Sequence, residues 1–187
     1  PTPVLYYSAF QRKASGAVMI TGSHNPSEYN GFKIVCGAST IHGPEIQELY
    51  RLIQTGDLLV GDGSVESCDI VPEYVGEIAS QFHWDRRIKV AVDAGNGTAG
   101  PVMHRLLRRL NVEPGELFFE MDGAFPNHHP DPTVEENLQA LAAKVRETGA
   151  ELGLAFDGDS DRLGAVDEKG EVVWGDYLTL IYAREIL

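Results

Sequence analysis

The sequence predicts an α/β protein in which helices cover a mainly parallel sheet. Two observations carry this. From Ile88 to Asp157, apolar strand-like runs alternate with helix-like segments in the order strand, helix, strand, helix, strand, the pattern of a parallel sheet joined by helical crossovers. Upstream, two short apolar runs bracket a loop in which Ser23, His24 and Asn25 stand side by side ahead of Pro26.

Taken in order, "GAVMI" (16–20) and "FKIVC" (32–36) read as the two strands around that loop. The segment 43–56 has Ile46, Leu49, Leu52 and Ile53 at the spacing of one helix face and stops at Gly56. Residues 57–69 are polar and turn-rich, which suits a linker, and 71–82 reads as a second amphipathic helix. Then "IKVAVD" (88–93) is a strand, 101–110 a helix with Pro at its start, and "GELFFE" (115–120) a strand. Residues 133–149 form a helix with an acidic first turn, basic later turns and a closing Gly. "LGLAFD" (152–157) is a strand, 162–173 a hairpin turning at Lys169-Gly170, and 174–187 the start of another helix.

Bulk properties exclude some functions. With 43% apolar and 23% charged residues, the 187-residue chain can fill a packed core. A net charge of -13 argues against a nucleic-acid or anionic-membrane surface, both of which need basic patches. No apolar run approaches the roughly eighteen residues of a membrane span. Cys36 and Cys68 have neither metal spacing nor the pattern of a disulfide framework, which suits a reducing cytoplasm. The chain opens on Pro1 and ends at Leu187 inside a helical pattern, as a piece of a longer protein would.

Four loops carry chemistry. "DGDSDR" (157–162) places Asp157, Asp159 and Asp161 at alternate positions just past a strand. Like charges so close repel unless a cation or donors neutralise them, and in an extended loop they converge three oxygens on a hard cation such as Mg²⁺. The bland reading is a solvated acidic turn. A calcium EF-hand is excluded, because Arg162 takes the place of the required Gly and a strand precedes the loop. "DAGNGTAG" (93–100) holds a Gly-x-Gly-x-x-Gly pattern after a strand, with Glu120 downstream where a ribose-binding acid would sit. That leaves a dinucleotide-binding oxidoreductase domain on Gly95–Gly100 as an alternative to a tight strand-to-helix turn, although Asp93 would bring negative charge near a pyrophosphate. "FPNHHPDP" (125–132) reads as a rigid loop whose adjacent histidines diverge, facing either structure or substrate. A Ser-His pair on a loop is often mere surface polarity. Together with a separate carboxylate loop, however, Ser23 suggests phosphoryl chemistry, with Lys33 placed to exchange a proton.

At this point the motifs carry a resemblance. "TGSHNPSEYNGFKIV" (21–35) is similar to the phosphoserine loop of the α-D-phosphohexomutases, Thr-(Ala/Gly)-Ser-His-Asn-Pro, and "DGDSDR" resembles their metal loop, Asp-Gly-Asp-Gly-Asp-Arg. "DAGNGTAG" and "DGAFPNHHPDP" resemble further stretches of the same family in the same order, and Gly-Phe-Lys-Ile-Val points to its phosphomannomutase/phosphoglucomutase branch.

The resemblance implies three-layer α/β/α domains with mixed, mostly parallel sheets, the first incomplete. Residues 1–68 would be the C-terminal part of domain I, 69–171 domain II, and 172–187 the start of domain III. The rest of domain III and domain IV, which read the sugar and its phosphate, have no counterpart here, so the fragment is expected to be inactive alone. It implies Ser23 as the phosphorylated serine, Lys33 as general acid/base with His24, and Asn25 and Arg162 as phosphate supports. Mg²⁺ would be held by Ser23, Asp157, Asp159 and Asp161. The substrate would be a mannose or glucose phosphate, interconverted between its 1- and 6-phosphates in the cytoplasm, with glucose 1,6-bisphosphate as activator. A remnant that binds Mg²⁺ without catalysis is the other alternative. Ser160 stands where the family has Gly, adding a Cβ to the loop.

Overall fold

A computed structural model describes residues 1–26 and 28–187. A helix opens the chain, α1 (Thr2–Gln11), and packs against strand β1 (Gly16–Thr21). β1 pairs antiparallel with β2 (Gly31–Cys36), which pairs antiparallel with the two-residue β3 (Ser39–Thr40). Met19 lies opposite Lys33 in this register. Helices α2 (Pro44–Thr55) and α3 (Val71–Gln81) follow, with residues 57–70 between them irregular and largely exposed, as the linker reading expects.

The second sheet has five strands in the order β5-β4-β6-β7-β8. β4 (Ile88–Asp93) lies parallel to both β5 (Val112–Leu117) and β6 (Leu152–Phe156). The returning hairpin β7 (Leu163–Val166) and β8 (Val172–Val173) adds antiparallel strands. The connections explain the mixture. Helices α4 (Ala99–Leu107) and α5 (Gln139–Thr148) are long enough to carry the chain back for parallel pairing, whereas the short links β1–β2, β6–β7 and β7–β8 permit only antiparallel pairs. Parallel pairing is therefore confined to β5-β4-β6. Helix α6 (Gly175–Ile186) ends the chain.

Successive β4 residues point to opposite faces of the sheet. Ala91 joins Ala155 and Val166 under Leu141, Ala142 and Val145 of α5. Val90 and Val92 join Val112 under Leu107 of α4 on the other face. Both faces are covered, which makes three layers. The first sheet, by contrast, leaves Val18, Ile20 and Phe32 exposed.

Three boundaries differ from the sequence reading. β5 spans 112–117, not 115–120: Pro114-Gly115 looks like a turn, but β5 is an edge strand, where a missing N–H is tolerated. The helix read over 133–149 begins as a 3₁₀ turn (Glu135–Leu138) before α5. Helix α4 starts at Ala99, with Pro101 in its first turn, where no intrahelical N–H is needed.

The loop 125–132 is pinned from below. His128 sets Nε2 3.0 Å from Asp93 Oδ2 and Nδ1 2.9 Å from the His129 carbonyl. Both partners are acceptors, so the ring donates at both nitrogens and is an imidazolium. The Asp93 hydrogen bond raises the His128 pKa above its ordinary value; burial opposes this, and the His129 carbonyl and the Asp93 charge add to it. The Phe118 ring meets it edge-on at 5.4 Å. His129, as the reading expects, diverges and is exposed.

Two predictions follow from this packing. Leu141 is completely buried, so Leu141→Ala should cost about 3 kcal/mol in urea unfolding, and a cost below about 1 kcal/mol would contradict the core assignment. A His pKa raised on folding adds stability that is complete below the unfolded pKa and is lost as pH rises through the folded one. His128→Gln should therefore cost about 2 kcal/mol near pH 6 and distinctly less near pH 9; a pH-independent cost would show that the ring is neutral.

Candidate active site

Ser23 sits on the turn after β1 with a left-handed backbone, φ 52°. The turn is fixed by its own groups: Ser23 N–H donates to Thr21 Oγ1 at 2.8 Å, and Asn25 N–H to the Gly22 carbonyl at 2.8 Å. The carboxylate loop follows β6, and the two loops meet through backbone. A methyl group at Gly158 would lie 2.1 Å from the Ser23 carbonyl oxygen, and one at Gly97 would lie 2.7 Å from the Gly158 carbonyl. Only glycine allows that approach. Thr98 completes the stack, giving its N–H (2.9 Å) and Oγ1 (3.1 Å) to the Gly158 carbonyl.

This stack also speaks against the dinucleotide reading of Gly95–Gly100. In such a fold the glycine turn ahead of the helix must leave its backbone open to the pyrophosphate. Here the N–H groups of residues 95–98 are all engaged, with Asp93 Oδ1, Phe118 O, Ala94 O and Gly158 O respectively. The glycines allow close packing, including Gly100 against the Phe119 backbone. Glu120 lies beyond β5, and its carbonyl accepts from the Asn96 side chain.

Ser23, His24, Lys33, Arg162 and the three aspartates come together. Ser23 Oγ lies 2.8 Å from Asp157 Oδ2 and 3.1 Å from His24 Nδ1, and His24 Nε2 lies 3.3 Å from an Arg162 guanidinium nitrogen. A guanidinium cannot accept, which fixes the direction of the chain. Arg162 donates to His24 Nε2, His24 Nδ1–H donates to Ser23 Oγ, and Ser23 donates to Asp157. Asp157 Oδ1 meanwhile accepts the N–H groups of Asp161 and Arg162, both at 3.0 Å. Asn25 is exposed on the same turn and, with Ser23, Asn96 and Phe125, lines a cavity of about 470 Å³.

The carboxylates differ in environment. Burial pushes the Asp157 carboxyl above the usual range, helped by Asp159 and Asp161. Burial acts on Asp159 in the same sense, but donors more than offset it: Lys33 Nζ (2.6 Å), Thr2 Oγ1 (2.8 Å) and Thr21 Oγ1 (3.0 Å), all on Oδ2, hold it at about 2. Lys33 also pairs with the more exposed Asp161. Burial works against the Lys33 charge, yet these two carboxylates outweigh it and raise its pKa. Ser160 adopts φ 68°, a left-handed conformation its Cβ disfavours, and its hydroxyl lies 3.1 Å from Thr98 Oγ1.

One oxygen stands apart. Asp159 Oδ1 is buried with no hydrogen-bond partner among the described residues, an arrangement that is costly unless a cation takes it up. One oxygen from each of Asp157, Asp159 and Asp161 lies within 4.8 Å of the others. This hard, all-oxygen, anionic set fits a hard divalent cation.

Sequence reasoning passed over Thr2 and Thr21, which hold Asp159, and Thr98, which holds Gly158. Among the described residues no helix is long and apolar enough to cross a membrane.

Comparison with known proteins agrees with this arrangement. Two family models match: phosphoglucomutase/phosphomannomutase alpha/beta/alpha domain I over residues 1–59, and domain II over residues 72–170. A phosphomannomutase/phosphoglucomutase of Pseudomonas putida is 48% identical over 187 residues, covering 100% of this chain and 40% of its own length. A phosphoglucomutase of Neisseria meningitidis is 44% identical, with coverages of 100% and 41%. The crystal structure of a phosphoglucomutase/phosphomannomutase family protein from Burkholderia thailandensis superposes with a TM-score of 0.93 at 43% identity, covering 100% of this chain and 43% of the other. The chain thus spans about 40% of the length of the curated relatives it matches. With both family models matched in order and the fold reproduced over its whole length, this chain belongs to the phosphoglucomutase/phosphomannomutase family.

Proposed function

We propose that the protein of which this chain is part interconverts hexose 1-phosphate and hexose 6-phosphate, of mannose or glucose, through a phosphate carried on Ser23. The observation that carries the reading is the junction of the Ser23 hydroxyl with the carboxylate loop at 2.8 Å, with His24, Arg162 and Lys33 around it. Asp157, Asp159 and Asp161, with Ser23, would hold Mg²⁺, which when bound neutralises charge on the phosphate and favours its transfer.

The residues divide the work in two half-reactions. In the first, a sugar hydroxyl attacks the phosphorus of phosphoserine, the P–Oγ bond breaks and a sugar O–P bond forms. The hydroxyl proton passes to the Lys33 amine. Ser23 Oγ leaves as an alkoxide into the site where His24 Nδ1–H donates a hydrogen bond to it, beside the carboxylates whose cation would offset its charge. In the second, the Ser23 alkoxide attacks the other phosphate of the bisphosphorylated sugar, which has turned over; the P–Oγ bond forms as the bond from phosphorus to the sugar oxygen breaks. Lys33, now the ammonium, delivers a proton to the departing sugar oxygen. Its pairing with Asp159 and Asp161 favours that charged form, so the amine form used in the first half-reaction requires that the cation take those carboxylates from it. Arg162, with Asn25 on the serine turn, supports the phosphate. Glucose 1,6-bisphosphate, the intermediate itself, would recharge a dephosphorylated serine.

On this reading residues 1–68 belong to domain I, 69–171 to domain II and 172–187 to domain III. The sugar-reading parts lie in the portion of the relatives that the chain does not span, so it carries the reagent without the full enzyme. The acidic surface and reductant-compatible cysteines suit a cytoplasmic enzyme.

Intact-mass measurement of the full-length protein after glucose 1,6-bisphosphate and Mg²⁺ should show one added phosphate. Fragmentation should place it on Ser23, and Ser23→Ala should lack it. A full-length protein that takes up no phosphate would overturn the mechanism and favour a cation-binding remnant.

A further inference from the structure

The structure assigns to Thr2 a positioning role: its hydroxyl and N–H hold Asp159 so that Oδ1 faces the cation position. This rests on the reading of the carboxylate loop as a divalent-cation site.

Thr2 is the first residue of α1 and is completely buried. Burial of a hydroxyl is unfavourable unless it is bonded, and this one bonds to the carboxylate loop. Thr2 Oγ1 donates to Asp159 Oδ2 at 2.8 Å, and Thr2 N–H donates to the Asp159 carbonyl at 2.8 Å. The two contacts grip one residue by side chain and backbone, which fixes both its place and its rotation. The same hydroxyl accepts from Lys33 Nζ at 3.5 Å, so it also bridges Lys33 to the carboxylate.

The geometry discriminates between the two oxygens of Asp159. Three donors, from Thr2, Thr21 and Lys33, converge on Oδ2. None reaches Oδ1 among the described residues. A carboxylate with one oxygen saturated and the other bare has one orientation left in which to ligate. Lys33 leads a long flexible stem, and Thr21 is shared with the Ser23 N–H at 2.8 Å. Thr2 makes the contact with no such competing duty on a turn, and it comes from a helix 157 residues away in sequence. Helix α1 thus acts as the fixed wall of the site.

Partners of this kind, which touch a ligand residue but not the metal, typically set metal affinity by about ten- to a hundredfold. The test titrates the full-length protein that contains this chain with Mn²⁺, reading the free ion by electron paramagnetic resonance. Thr2→Val keeps the shape and removes the hydroxyl. Thr2→Ala removes it with no penalty to the helix and serves if the Val variant does not fold. Both should bind Mn²⁺ about tenfold more weakly, whereas Thr2→Ser should stay within about twofold of the parent protein. Val and Ala variants that bind as tightly as the parent would overturn the proposal, as would a Ser variant as weak as Ala, because packing and not the hydroxyl would then matter. A parent protein that binds no Mn²⁺ would overturn the cation reading itself, and the proposal with it.

Discussion

The structure depends on one close backbone contact, Gly158 of the carboxylate loop against Ser23 of the serine turn. In the proposed reaction neither loop is useful alone: the serine hydroxyl would need an acceptor and a place for negative charge, and the carboxylates a counter-charge. Their junction leaves no room for even a methyl group, and it is backed by Gly97 and Thr98 on the opposite side. The turn at 93–98, in turn, is held against the loop 125–132 by the His128–Asp93 pair and by Asn127 Nδ2 donating to Asn96 Oδ1 at 2.7 Å. Four loops from distant parts of the chain therefore share one packed stack, with the Ser23 hydroxyl and the carboxylates on its rim.

Electrostatics works against that stack and explains its donors. Asp157 and Asp159 are buried beside one another and beside Asp161, so like charges crowd one small volume. The protein does not relieve this evenly. Asp159 receives Lys33 and two threonine hydroxyls on one oxygen and keeps the other bare, while Asp157 is spent on two backbone N–H groups and the serine. Uneven satisfaction of this kind stabilises the fold less than full pairing would, and it leaves ligating oxygens where a cation can use them. The family comparison places the chain among proteins whose names describe sugar-phosphate mutases.

Much of the second sheet was legible because its strands obey period and its helices obey face: Val90, Ala91 and Val92 alternate between two cores, and Leu141, Ala142 and Val145 line one side of α5. Helix α1 was not, since "TPVLYYSAFQ" shows no clean polar face, and β5 was displaced by a Pro-Gly pair that an edge strand tolerates. Ser23 and Asp157 each stood out locally by residue type, but they lie 134 positions apart and nothing in their spacing says that they touch. The resemblance supplied that pairing. Thr2 carried no signal at all, and Thr21 only as the first residue of the serine motif, because a threonine's role in holding a carboxylate shows only once its buried partner is known. Gly97 and Gly100 misled in the opposite direction: glycines needed for close packing imitate those of a phosphate-binding loop.

The most direct test of this account is a crystal structure of Gly158→Ala. Overpacking of this kind typically costs about 1–3 kcal/mol, and the new methyl group should force the serine turn away from the carboxylate loop. The account predicts that Ser23 Oγ moves out of hydrogen-bond range of Asp157 Oδ2, with the five-stranded sheet unchanged. A variant that keeps the 2.8 Å contact on an undisturbed backbone would show that the two loops are held together by something other than this close approach.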